Sequence, residues 1–160
     1  MSTSPFQPEI SFETKREEMK TYLEIEGLLM DLESYLSKGR TLITLGRYSE
    51  EIYNVIALDD ESIDLFQCQF VCTSERNWKV QNGQWRTECP KGIHSRLQHA
   101  CNLCMGRCVN SRPAHPTYSW REPKNSTLLN GVELTHEGAV LKDGDKIVAG
   151  NLHISVVVTA

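Results

Sequence analysis

Along most of the chain, apolar residues recur at every second position in short runs. Tyr22 to Glu26 predicts a first strand. Leu28, Leu32 and Leu36 then stand at i, i+4 and i+8, which predicts a short helix with one buried stripe, stopped by Gly39. From Thr41 the period of two returns. Leu42 to Leu45 ends in Gly46-Arg47, and Val55, Ile56 and Leu58 run into the acidic turn Asp59-Asp60-Glu61. Phe66, Cys68, Phe70 and Cys72 alternate with Leu65, Gln67, Gln69 and Val71, which puts the first set on one face of a strand. Trp78 and Val80 predict another strand, closed by the hairpin signal Asn82-Gly83. Further on come Thr127 to Leu129, the turn Asn130-Gly131, Val132 to Leu134, the turn Asp143-Gly144-Asp145, Lys146 to Ala149 and the β-branched run Ile154 to Thr159. Short strands separated by such turns predict an all-β, antiparallel β-sandwich with one short N-terminal helix.

Residues 86–119 interrupt this rhythm and read as a single insertion. They hold Cys89, Cys101, Cys104 and Cys108. A C-x2-C pair delivers two ligands to a tetrahedral metal, and Cys89 and Cys108 complete a four-thiolate shell of the kind zinc prefers. His94, His99 and His115 are reserves. So polar a segment buries little apolar area, and a structural zinc supplies the ordering free energy. A closed shell leaves no position for water, so the role is structural. Other readings stay open. On a helix, Cys101, Cys104 and Cys108 share one face and form a small apolar stripe; an iron–sulfur cluster or a redox disulfide uses the same residues. Cys68 and Cys72, on their strand, read as core.

With 160 residues, the chain is long enough for one core without disulfide staples. Residues 1–19 are expected to be a loose tail, and 20–160 one domain carrying the insertion. The net charge is −4, with both signs mixed, which argues against a nucleic-acid footprint. No apolar run nears the roughly 18 residues of a membrane span, and the N-terminus lacks the apolar region of a secretory signal; a cytoplasmic, reducing location is expected, where clustered cysteines favour metal over disulfides. No nucleophile elbow, phosphate-binding loop or dinucleotide fingerprint occurs, and the five histidines are scattered. The chain is therefore expected not to be an enzyme.

Five segments, in order, resemble the forkhead-associated (FHA) family. Thr44-Leu45-Gly46-Arg47 resembles its I-G-R strand end, and Asn54 to Asp60 its N-x-I-x-L-x-D segment. Ile63 to Phe70 stands in the place of I-S-R-x-H-A-x-I. Trp120 to Gly131 has the spacing of W-x-x-S-x-N-G-T-x-x-N-G, and Leu141 to Ile147 that of L-x-x-G-D-x-I. The resemblance covers about residues 41–85 and 120–158. It implies an FHA-type sandwich whose loops bind phosphothreonine peptides, so the partner is a protein or peptide, phosphorylated on threonine if the site survives. Arg47 matches the phosphate-binding arginine, whose guanidinium suits phosphate oxygens. Asn125 matches the asparagine that holds the peptide backbone, and Asn130 lies in the same motif. Asp64 takes the place of the phosphate-binding serine.

These departures define a degenerate phosphate site. A carboxylate has no proton to donate and repels a phosphate. The family's next arginine is Leu65 here, its bracing histidine is Gln67, its second serine is Pro123, and the glycine after Asn125 is Ser126. Arg86, Arg96 or Arg121 could rebuild the site. Two rivals stand beside this reading. In one, Asp64 pairs with Arg47 and the module binds its partner without phosphate. In the other, the cysteine segment is a zinc or redox sensor carried on the sandwich.

Overall fold

The structure, a computed structural model, describes residues 19–50, 52–89, 92–93 and 118–160. Its strands are β1 (Lys20–Ile25), β2 (Leu28–Asp31), β3 (Leu42–Arg47), β4 (Ile56–Leu58), β5 (Cys68–Cys72), β6 (Trp78–Gln81), β7 (Gln84–Cys89), β8 (Gly92–Ile93), β9 (Tyr118–Arg121), β10 (Leu128–Leu129), β11 (Val132–Glu133), β12 (Ala139–Val140), β13 (Lys146–Ala149) and β14 (Leu152–Thr159), with one helix, α1 (Leu32–Leu36). They form a six-stranded sheet in the order β11-β10-β13-β14-β1-β2, a five-stranded sheet in the order β12-β6-β5-β3-β4, and a small sheet β8-β7-β9.

The two larger sheets share one core. Leu23, Ile25, Ile147, Ile154 and Val156 from the first meet Ile43, Leu45, Phe70, Trp78 and Val80 from the second. Alternation places them there: β1 reads exposed, buried, half-buried, buried, exposed, buried, which is the half-buried strand pattern. The sandwich expected from the sequence is therefore present. Cys68 belongs to this core, and burial pushes its thiol up to about 12. Cys72 is only half-buried. No described helix is long and apolar enough to cross a membrane.

Several local expectations need correction. The sheets are not antiparallel throughout: β3 and β4 run parallel, with Leu45 beside Ile56 and Arg47 beside Leu58. Leu28 is not helical. Glu26 and Gly27 both take positive φ, 53° and 85°, and form a two-residue turn that reverses the chain into β2, with Ile25 opposite Leu28. Leu28 and Leu29 end up 67% and 61% exposed on the sheet edge. The helix begins only at Leu32, capped by Asp31, whose Oδ1 accepts the Glu33 N–H at 2.9 Å. The Trp78 indole N–H donates to Glu33 Oε2 at 2.9 Å and ties the helix to β6.

Asn82-Gly83 closes no hairpin, because β7 pairs with β9 and not with β6. Asn82 instead spans two neighbours, donating to Leu134 O at 3.1 Å and accepting the Thr127 N–H at 3.0 Å. A Cβ on Gly83 would strike the Trp120 ring and the Arg121 carbonyl, so the chain can pass there only as glycine. The strand rhythm also continues past residue 86. β7 runs to Cys89 and forms a ladder with β9 from Gln84–Arg121 to Thr87–Tyr118, so the insertion rests on a β stem.

The buried stripe reading makes Leu28 and Leu32 equivalent; the structure separates them. Leu32→Ala should cost about 2–5 kcal/mol, while Leu28→Ser should stay within about 0.5 kcal/mol of the parent. Urea unfolding of both variants checks this; equal losses would contradict the turn at Glu26-Gly27.

Candidate peptide-binding cleft

At one end of the sandwich, three segments converge: the end of β3, the loop from Asp59 to Gln67, and the loop from Glu122 to Thr127. They enclose an open cleft of about 440 Å³ lined by Arg47, Ser62, Asp64, Phe66, Arg121, Lys124 and Asn125 among others. Three of the four residues expected from the sequence, Arg47, Asp64 and Asn125, are thus brought together. The fourth, Asn130, does not line this cleft. It is the first residue of the β10–β11 turn, with φ of 52°. Its Nδ2 donates to Asp145 Oδ1 at 2.9 Å and its Oδ1 accepts the Lys146 N–H at 2.8 Å, so its side chain braces β13.

Arg47 leaves β3 beside the loop at Asp64. Its backbone N–H donates to Asp64 O at 3.0 Å, and its Nη1 donates to Ile63 O at 3.2 Å. Gly46 permits this approach. A Cβ there would fall on the Leu65 carbonyl oxygen and on Asn54 Nδ2, so the glycine before the arginine is a packing requirement.

The Asp64 carboxylate does not pair with Arg47. Its Oδ1 accepts the Phe66 N–H at 2.9 Å and its Oδ2 accepts the Lys124 N–H at 3.3 Å. One anionic side chain therefore bridges both binding loops. Asn125 points its amide across the same gap, with Nδ2 donating to Ser62 O at 3.0 Å.

Beneath the loops lies a layer of buried amides. Gln67, fully buried, stands where the resemblance expects histidine. Its Oε1 accepts the Asp64 N–H at 2.9 Å, and its Nε2 donates to Asn125 O at 3.0 Å and Thr127 Oγ1 at 2.8 Å. Neutral imidazole offers one donor and one acceptor; a primary amide offers both kinds with one donor more, so glutamine can serve as the brace. A second set sits behind it. Asn54 Nδ2 donates to Leu65 O at 2.9 Å, and its Oδ1 accepts from Gln84 Nε2 at 2.7 Å and from Arg86 Nη2 at 3.1 Å. Gln84 Nε2 also donates to Leu45 O and Cys68 O.

Of the arginines named as candidates, Arg121 lines the cleft. Arg86 is 2% exposed and lies behind Phe66 within the amide layer; burial, and secondarily Arg121, lowers its pKa to about 10. Arg96 lies outside the described residues. Lys124 and Phe66 also line the cleft; no motif marks them, although Lys124 directly precedes the matched Asn125. Trp120 borders it too, edge-on to Trp85 at 5.1 Å.

For the metal set, Cys101, Cys104 and Cys108 lie outside the described residues, as do His94, His99 and His115. Cys89 ends β7, opposite Gly92 of β8, and only its backbone is described. Among the described residues, no group of three or more His, Cys, Asp or Glu is placed to hold a metal.

No protein-family model and no curated protein sequence matches the chain. Solved structures do. The FHA domain of an Arabidopsis thaliana hypothetical protein is 22% identical, covering 88% of this chain and 84% of that one with a TM-score of 0.49. The FHA domain of a Chlamydia trachomatis protein is 13% identical over 88% of this chain and 99% of that one, with a TM-score of 0.52. EmbR of Mycobacterium tuberculosis, solved with a low-affinity phosphopeptide, is 12% identical over 98% of this chain and 30% of that one, with a TM-score of 0.51. The chain has an FHA-type fold.

Gln67→Ala should orphan the Asp64 N–H and the Asn125 carbonyl at once and remove the bond Thr127 Oγ1 accepts, leaving that hydroxyl only its donation to Gln67 O. The expected loss is about 3 kcal/mol or more of stability, read by chemical denaturation. A loss under about 1 kcal/mol would show that the loops are held by other contacts.

Proposed function

We propose that this chain is a peptide-recognition module, not an enzyme, acting in the cytoplasm on partners phosphorylated on threonine. The observation that carries the reading is a cleft lined by Arg47 together with Arg121, Lys124 and Asn125. A phosphate brings about −1.5 to −2 charge, and guanidinium groups meet it with charge-assisted hydrogen bonds. EmbR, of similar fold, was solved with a phosphopeptide, which supports the same class of ligand here. Asp64 makes the phosphate site degenerate: its negative charge lines the same cleft and opposes the ligand. We therefore expect weak binding that depends on phosphate.

Matched threonine and phosphothreonine peptide libraries at physiological salt test this. The phosphorylated set should be preferred, and Arg47→Ala should remove the preference. Asp64→Ser should strengthen phosphopeptide binding by about tenfold, because a like charge is replaced by a donor. Equal binding of both libraries by the parent chain would overturn the reading in favour of phosphate-independent docking.

We also propose that Cys89, Cys101, Cys104 and Cys108 hold a structural zinc in the insertion. The C-x2-C spacing and the position of Cys89 at the end of the stem strand β7 support it. Purified protein should carry one zinc per chain by elemental analysis, lost in the Cys101→Ser, Cys104→Ser double variant. Metal-free protein with fully reactive thiols would retire the zinc.

A further inference from the structure

The resemblance expects a second arginine right after the phosphate-binding position, and this chain has Leu65 there. A different cation stands in the same cleft. Arg121 comes from β9, the last residue of the stem ladder, opposite Gln84. It is half-buried and lines the cleft together with Arg47 and Lys124. What positions it is Phe66. The Arg121 guanidinium lies over the Phe66 ring at 5.6 Å, and the Arg86 guanidinium over the same ring at 5.5 Å. Stacking on an aromatic face restrains the plane of a guanidinium, so it loses less side-chain freedom on binding than a mobile one.

Phe66 itself is fixed. Its backbone N–H is held by Asp64 Oδ1, and Arg86 is anchored to Gln84 Oε1 through Nε at 2.9 Å and to Asn54. The charge is therefore delivered from a rigid strand and a buried platform. Its neighbour Arg86 adds positive potential from a region of low exposure, where charge is screened least by water.

We propose that Arg121 is the second anion contact of the cleft, binding the ligand's phosphate beside Arg47 and replacing the arginine missing at Leu65. This rests on the phosphopeptide reading above. Its chemistry is bidentate: a planar guanidinium fork meets two phosphate oxygens, a geometry that lysine does not reproduce.

Arg121→Gln is the direct test, with Arg121→Lys beside it and thermal midpoints recorded for both. Arg121→Gln should weaken phosphothreonine-peptide binding by about 10- to 100-fold and leave the unphosphorylated peptide unchanged, while Arg121→Lys recovers only part of the loss. In the unaltered chain, the Arg121 Nε–H resonance should shift on titration with the phosphopeptide and not with its threonine counterpart. Binding within twofold of the parent in a folded Arg121→Gln, or an unmoved Arg121 resonance, overturns this proposal while Arg47→Ala still decides the broader one. Should Arg121→Gln fail to fold, the resonance alone decides. No phosphate preference in the parent overturns both.

Discussion

Three buried amide side chains, Asn54, Gln67 and Gln84, are the constraint on which this end of the molecule depends. Each is 2% exposed or less and each bonds to backbone or side-chain groups of another segment. Loop carbonyls cannot be left unpaired in a core without a cost of about 1–3 kcal/mol apiece. The amides satisfy Leu65 O and Asn125 O in the loops and also bond Leu45 O of β3 and Cys68 O of β5, which ties the loops to the five-stranded sheet. The cleft is thus shaped from beneath by these amides, together with the buried Arg86 guanidinium that bonds to Asn54 and Gln84.

On that base the charged residues divide their tasks. Asp64 uses both carboxylate oxygens on backbone N–H groups of two loops, so it works as a local tether as well as a charge. A hydroxyl at this position could accept fewer such bonds, so the carboxylate is suited to clasp the two loops. The same logic explains Arg47, whose Nη1 is spent on Ile63 O and which is thereby oriented along the cleft wall.

Much of this was legible in the sequence. Alternation marked the strands that carry Leu23, Ile43, Phe70, Trp78 and Val80, and the ordered motifs named Arg47, Asp64 and Asn125, which line one cleft. The misses have local causes. A glutamate at positive φ in the turn before Leu28 gives no strong turn signal, so three leucines at helical spacing read as one stripe. Asn82-Gly83 carries a hairpin's residues, yet Asn82 uses its amide to bridge loops and β7 finds its partner in β9, far along the chain. Arg121 could be named only as one arginine among several, because two guanidinium groups over one ring leave no trace in spacing. Asn130 stands where the resemblance places it but does not line the cleft, since its side chain in a turn at positive φ bonds to Asp145 and Lys146.

The ladder between β7 and β9 has a consequence for how the chain can change over generations. It brings Thr87 and Tyr118 side by side, so whatever joins them begins and ends at nearly one point, on a small sheet whose backbone ladder is separate from those of the larger two. The entropy of closing such an excursion grows only with the logarithm of its length, about 0.6 kcal/mol for each doubling. The stretch between those residues is therefore a place where sequence can be gained, lost or exchanged at little thermodynamic expense, leaving the sandwich and its amide layer intact.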